Sequence, residues 1–102
     1  MNPSREESEF VFCDLQAIAR RIKETNPGAA LFFLEAAYDA FEFLARNPGI
    51  GRVRDDLGFP DARSWRIKGD RSLIFYRELP DRIQIWRVLS HGARDIYRVL
   101  KE

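Results

Sequence analysis

Apolar residues are spaced as in helices over the first half of the chain and as in strands over the second half, with the change between about residues 47 and 63. Near the N-terminus, four of them recur every three or four positions: Val11, Leu15, Ile18 and Ile22. This spacing places them on one face of an amphipathic helix. The pattern Ser4-x-x-Glu7 suits a capping box before it, whereas residues 10–13 (FVFC) would also suit a short buried strand. We favour the helix.

A second helix is predicted from Pro27 to about Arg46. Asn26 can cap its first turn, and proline is well tolerated at the first helical position because no N–H is left unsatisfied there. At about 100° per residue, the face predicted to meet the core is centred on Leu34. The other residues of that face are Ala30, Ala37, Tyr38, Phe41, Leu44 and Ala45.

Two aromatic residues of this helix point away from its predicted core face. Phe32 and Phe43 lie roughly 160 to 180° from Leu34, with Ala36 between them. That side of a helix usually meets water in a two-layer domain, so two phenylalanines there indicate a second apolar contact surface. Either a protein partner binds this surface, or a loop or the N-terminal segment folds over it.

Strand patterns fill the rest of the chain after a connecting segment, residues 47–62, that is rich in Gly, Pro and Asp and long enough for a functional role. Trp65 and Ile67 alternate with Arg66 and Lys68, and a Gly-Asp turn follows. Residues 73–77 and 83–89 form two more strands around the turn LPDR, which completes an antiparallel meander. A short C-terminal helix would contain the apolar residues Ile96, Val99 and Leu100.

These elements predict the α+β class: an N-terminal helical hairpin packed on a small, twisted antiparallel sheet of three to four strands, with a short C-terminal helix. The 102 residues, 45% hydrophobic and 32% charged, fit a single domain over residues 1–102. No apolar run is long enough for a membrane span, and the N-terminus is too polar for a secretion signal, so we expect a cytoplasmic protein.

Cysteine and charge narrow the possible chemistry. Cys13 is the only cysteine, so we expect it to be a small buried hydrophobe, with no disulfide, metal site or cofactor. Residues 1–51 carry five Lys and Arg against eight Asp and Glu, whereas residues 52–102 carry twelve against eight. The basic second half would suit an anionic partner such as nucleic acid, although solvated strand faces would give the same pattern.

The segment RVLSHGARDIY, residues 87–97, contains the only histidine of the chain. His91 lies near Arg87, Arg94 and Tyr97, and these residue types would suit acid/base chemistry on a phosphodiester. They would equally suit a strand end followed by a helix cap, in which His91 forms local hydrogen bonds.

Several linked segments resemble the RelE/ParE superfamily of bacterial toxins, specifically its ParE-like branch. They are DLQAIARRI, NPGAALFFLEAAYDAFEFLARNPGIGR, DDL, RSWRI, IFYR and RVLSHGARDI, which together cover about residues 14 to 98. The resemblance implies a plasmid- or chromosome-borne toxin encoded beside a small antitoxin that wraps it with a helix and a strand. We expect the antitoxin to contact the apolar residues Phe32, Ala36, Phe43, Trp65 and Trp86.

The superfamily divides by function. RelE-like members are endonucleases that cut mRNA on the ribosome, and here the residues of matching type are Arg66, Lys68, Arg87, His91, Arg94 and Tyr97. ParE-like members generally lack nuclease residues and poison DNA gyrase. Leu73 stands where RelE-like enzymes carry an arginine, so we expect a non-enzymatic gyrase inhibitor that binds no nucleic acid by itself.

The target would be contacted by the basic residues Arg66, Lys68, Arg77, Arg87, His91 and Arg94. A RelE-like endonuclease and an inactive toxin that retains only antitoxin binding remain the alternatives.

Two features depart from the ParE pattern. Ser90 is an extra residue, which would form a bulge or move His91 to the other face of the sheet. Relatives also usually begin with a short strand, but PSREES is so charged that this strand is either missing or paired only at an edge.

Overall fold

The computed structural model describes residues 4–90, which form two helices packed on one face of a five-stranded sheet. The helices are α1 (Val11–Lys23) and α2 (Pro27–Arg46). The strands are β1 (Ser4–Glu7), β2 (Arg52–Val53), β3 (Ala62–Arg66), β4 (Leu73–Glu78) and β5 (Arg82–Leu89). Their order across the sheet is β1-β5-β4-β3-β2. The α+β class and the helical hairpin are confirmed, and the predicted C-terminal helix lies outside the described residues.

The sheet has more strands than the three or four that the sequence predicts, and it is mixed. β1 pairs in parallel with β5, from Ser4 opposite Arg82 to Glu7 opposite Ile85, while the other pairs are antiparallel. All four residues of β1 are exposed, which is why their pattern shows no alternation. The interpretation of residues 4–7 as a capping box is therefore wrong, because they form an edge strand.

Both predicted helices are present, and the second has the predicted bounds, whereas the first begins at Val11, later than a capping box at Ser4 would place it. The first helix includes residues 11–13, so the helix was the right choice over a buried strand there, but Cys13 is exposed rather than buried. The second helix is capped as predicted, since the Asn26 Oδ1 accepts from the Ala29 N–H at 3.1 Å. Its buried face is turned slightly, so that Phe33 is buried whereas Tyr38 is 40% exposed.

The main core lies between the helices and the sheet. Its largest fully buried members are Val11, Leu15, Phe41, Leu44, Ile67, Ile74, Tyr76, Ile83 and Ile85. A second apolar cluster lies on the opposite face of the sheet, where Leu57, Ala62 and Phe75 are buried and four partly buried residues pack against them: Phe59, Leu73, Trp86 and Leu89. Leu57 and Phe59 come from the long connecting segment, which thus covers part of that face.

A bulge in β5 interrupts the alternation of the sheet. Phe75 pairs with Arg87 and Tyr76 pairs with Ile85, which leaves Trp86 without an opposite residue in β4. An extra residue of this kind bends a strand and redirects its side chains. The two alternatives predicted for Ser90 were a bulge or a move of His91 to the other face; β5 ends at Leu89, and position 91 lies outside the described residues.

Candidate partner-binding groove

An open groove of about 420 Å³ runs between α2 and the β3 side of the sheet. Its apolar lining comes from Phe32, Ala36, Ala40, Phe43 and Trp65. These α2 residues recur every three or four positions, so the helix presents them as one stripe on the side away from α1. We refer to this feature as the apolar groove.

The two exposed phenylalanines of the apolar groove are held by contacts with the sheet. The ring of Phe43 packs on that of Trp65 with 5.6 Å between the ring centroids. Phe32 lies over Gly69, which has a left-handed backbone conformation (φ +84°) in the turn between β3 and β4, and a Cβ atom there would lie 3.3 Å from the ring. Phe32 nevertheless remains 55% exposed and Phe43 40% exposed. The stripe is therefore positioned by its neighbours but largely uncovered by the described residues.

Four of the five residues predicted for antitoxin contact come together in this groove, and Trp86 does not. Trp86 belongs to the second apolar cluster on the opposite sheet face, where its ring lies 5.7 Å from that of Phe59. Its indole N–H donates to the Gln84 Oε1 at 2.9 Å. Trp86 thus packs with its neighbours on the far side of the sheet from the groove.

The predicted basic residue Arg87 is engaged inside the fold. Its Nε and Nη2 atoms donate to the two carboxylate oxygens of Asp14, each at 2.7 Å, and the guanidinium lies 4.8 Å from the centroid of the Phe10 ring. The backbone N–H of Val88 donates to the same carboxylate at 3.0 Å. The two side chains are only 20% and 10% exposed. This arrangement ties α1 to β5 and is poorly placed for contact with a large target.

The remaining predicted basic residues are distributed over different surfaces. Arg66 and Lys68 line the groove on its strand side, and the Arg66 Nε donates to the backbone carbonyl of Asp70 at 3.0 Å. Arg77 lies over the ring of Trp86 on the other sheet face and donates to the Gln84 Oε1 at 3.2 Å. Positions 91, 94 and 97, which hold His91, Arg94 and Tyr97, lie outside the described residues.

A basic pocket of about 470 Å³ adjoins the groove at the turn between β3 and β4. Arg21, Arg66 and Arg71 line it beside Ser90. Asp70 is the acidic residue of this pocket, and its carboxylate accepts from the backbone N–H and hydroxyl of Ser72. The cations at this end of the molecule are therefore more numerous than the acids beside them.

The connecting segment is fastened to the sheet by polar contacts that the sequence did not reveal. The buried hydroxyl of Tyr76 donates to the Pro48 carbonyl at 2.9 Å and accepts from the Gly51 N–H at 2.9 Å. Burial raises the pKa of this phenol above its ordinary value of 10.0. Arg54 donates to the Asp56 carboxylate at 2.9 Å, and this hydrogen bond lowers the pKa of Asp56.

Two negative findings apply to residues 4–90. No group of three or more His, Cys, Asp and Glu side chains in that range could hold a metal ion. No helix within it is both long and apolar enough to cross a bilayer.

Comparison with solved structures identifies the fold. The fold is similar to that of a chain in the chromosomal ParDE TA system from P. aeruginosa, with a TM-score of 0.75 and 21% sequence identity. The match covers 89% of this chain and 98% of that chain. No curated protein is significantly similar in sequence.

The family follows from the sequence. Residues 13–95 match the model of the ParE toxin of type II toxin–antitoxin systems, parDE. The chain therefore belongs to the ParE toxin family.

Proposed function

We propose that this ParE-family toxin inhibits DNA gyrase by protein–protein contact and is neutralised by a cognate antitoxin that binds the apolar groove. The observation that carries the antitoxin site is the stripe of Phe32, Ala36 and Phe43 beside Trp65, which packs against the sheet yet is left largely uncovered by residues 4–90. Grooves of this kind receive the apolar face of a partner helix. Burial of the exposed part of each phenylalanine would contribute about 2 kcal/mol to binding.

A non-enzymatic mechanism is favoured over RNA cleavage by membership of the ParE family and by the engagement of one candidate nuclease residue, Arg87, in an ion pair. Cleavage of a phosphodiester needs a base, an acid and a free cation around one reactive centre. Arg87 instead forms a bidentate ion pair with Asp14, and Arg77 lies on the sheet face opposite the groove. Among the candidates within residues 4–90, this leaves Arg66 and Lys68 for an anionic contact.

The target contact proposed here centres on the basic pocket and its neighbour Lys68. Arg66 lines both the basic pocket and the apolar groove. An antitoxin seated in the groove would therefore cover part of the surface offered to the target. Neutralisation would then follow from direct occlusion of that surface.

The function is tested by expressing the chain from a tightly regulated promoter and assaying the purified protein with gyrase. Inhibited supercoiling and accumulated cleavage complexes, with intact cellular mRNA, are the expected results. New cuts within mRNA codons and unaffected gyrase would establish an endonuclease instead. Unhindered growth together with unaffected gyrase would mean that the chain retains antitoxin binding at most.

The antitoxin site is tested by replacing the two groove phenylalanines, Phe32→Ser with Phe43→Ser, and titrating the protein encoded by the neighbouring reading frame. Affinity should fall by at least tenfold, because roughly 1.4 kcal/mol of lost binding energy corresponds to that factor. A matched control replaces two equally exposed residues outside the groove, Phe12→Ser with Leu31→Ser, which are 63% and 61% exposed. Equal effects from the two double variants would refute the site.

A further inference from the structure

The apolar groove carries opposite charges along its two sides. Glu35 and Asp39 line it on the α2 side, one helical turn apart. Arg66 and Lys68 line it on the strand side, two positions apart. All four residues are exposed. We refer to the first pair as the acidic rim and to the second pair as the basic rim.

The two rims do not neutralise each other. Within residues 4–90, no ion pair shorter than 4.0 Å joins Glu35 or Asp39 to a cation, and none joins Lys68 or Arg66 to an acid. Among the described residues, Arg66 donates to the backbone carbonyl of Asp70 rather than to a carboxylate. Each rim is therefore available to a ligand that lies between them.

The dimensions of the groove fit a short helix. Phe32 and Phe43 are eleven positions apart on α2, which corresponds to about 16 Å at 1.5 Å per residue, or about three turns. Glu35 and Asp39 are separated by one helical turn, so their spacing matches side chains at i and i+4 on a facing helix. Arg66 ends β3, and Lys68 lies in the turn that follows it.

We propose that the two charged rims select the partner of this groove: the segment that binds there has a basic flank against Glu35 and Asp39 and an acidic flank against Arg66 and Lys68, on either side of its apolar stripe. This proposal rests on the proposed function, because the ligand is the antitoxin. The apolar stripe supplies affinity, whereas the two flanks select the partner and fix the direction of its chain. A segment with two flanks of the same sign meets repulsion at one rim, so related antitoxins are rejected by charge.

The test reverses one rim at a time and measures the affinity of the protein from the neighbouring reading frame by calorimetry at low salt. The acidic-rim variant is Glu35→Lys with Asp39→Lys, and the basic-rim variant is Arg66→Glu with Lys68→Glu. Lys68→Glu alone is a second basic-rim variant that keeps the contact between Arg66 and the Asp70 carbonyl. Each double variant should bind about tenfold more weakly, and the loss should shrink as salt rises.

Matched controls make the same change in net charge outside the groove. Glu24→Lys with Glu42→Lys controls the acidic rim, and Arg20→Glu with Lys23→Glu controls the basic rim. All four control residues are exposed. The control variants should bind within about threefold of the wild type, since they alter only long-range attraction. Circular dichroism and melting curves establish that every variant is folded.

The outcomes distinguish a failure of the charged rims to select the partner from a failure of the proposed antitoxin function. If the wild type binds the neighbouring protein but rim and control variants bind alike, the charged rims do not select the partner and the proposal is refuted. If the wild type does not bind at all, the proposed antitoxin function fails first.

Discussion

At the scale of single residues, the Tyr76 hydroxyl illustrates how one buried polar atom positions a whole segment. It bonds to both ends of the turn from Pro48 to Gly51, and the side chain of Arg63 donates to the carbonyls of Gly49 and Gly51 in the same turn. Residues Pro48–Ile50 form a turn of 3-10 helix, and polar groups at its ends are satisfied by side chains of the sheet. The glycine at position 51 is required by this close approach.

Gly51→Ala should destabilise the protein by about 2 kcal/mol, because overpacking a filled site has costs of this order. An added Cβ would overlap the Tyr76 hydroxyl and lie 2.8 Å from its Cε1 atom. Gly49→Ala is the control, since no atom lies within 4 Å of a Cβ at that position. Urea unfolding of both variants checks the difference, and equal midpoints would contradict the role of the contact.

The same tyrosine predicts a dependence of stability on alkaline pH. Burial raises the pKa of Tyr76 in the folded state, while the unfolded chain keeps the ordinary value of 10.0. Below pH 10 both states hold the proton, so this group contributes no pH dependence there. As the pH rises beyond 10 the unfolded state loses its proton first, and the free energy of unfolding falls.

Tyr76→Phe should therefore be less stable at neutral pH, by about 1 to 3 kcal/mol for the two lost hydrogen bonds, but should show less further loss between pH 10 and 11. Tyr38→Phe, at an exposed position, should lose stability between pH 10 and 11 as the wild type does. Melting temperatures across this pH range provide the measurement. A Tyr76→Phe curve parallel to that of the wild type would argue against the raised pKa.

At the scale of elements, the ion pair of Asp14 with Arg87 joins the start of α1 to the end of β5. Asp14→Ala should cost about 2 kcal/mol, because it removes the carboxylate partner of Arg87 and of the Val88 N–H in a largely buried setting. Glu42→Ala breaks the exposed pair with Arg46 and should change stability by less than about 0.5 kcal/mol. Denaturant unfolding measures the loss of stability in each variant. Similar losses would show that the pair of Asp14 with Arg87 contributes no more than the exposed pair.

The elements that the sequence predicted are those with a buried face. Both helices and the strands β3 to β5 carry apolar residues at regular spacing, because one side of each packs into a core. β1 and β2 show no strand pattern because every residue in them is exposed. For β1, the alternative that the charged N-terminal segment pairs only at an edge is confirmed, since it lies at the edge beside β5. The parallel pairing of β1 with β5 depends on tertiary contacts that no local spacing encodes.

The candidate site, like the elements of the fold, was predictable only where apolar residues follow a regular spacing. Phe32, Ala36 and Phe43 followed from helical geometry, since apolar residues opposite a core face need another explanation. Trp86 lies in the second apolar cluster, away from these residues, and nothing in the local sequence signals the bulge opposite Phe75 and Tyr76 at which it stands. Asp14 gave no signal as the partner of Arg87, 73 positions away. The acidic residues beside the stripe could have been found from their helical spacing.

At the scale of the whole molecule, the two tryptophans report on opposite faces of the sheet. Trp65 lines the apolar groove and contacts Phe43, whereas Trp86 packs against Phe59 in the second cluster. The chain contains no other tryptophan, so toxin labelled with 5-fluorotryptophan should give two fluorine resonances. Trp65→Phe and Trp86→Phe assign them by loss of one signal each.

Addition of unlabelled antitoxin should move the Trp65 resonance strongly and the Trp86 resonance little, because only the groove side becomes buried. Trp65→Phe keeps an aromatic contact with Phe43, so this variant should still bind the antitoxin. Its only remaining label is Trp86, so its fluorine spectrum should change very little. The Trp86→Phe variant should retain the full change. If the Trp86 resonance moves more than that of Trp65, the antitoxin covers the far face of the sheet, and the groove would have to be assigned to another ligand.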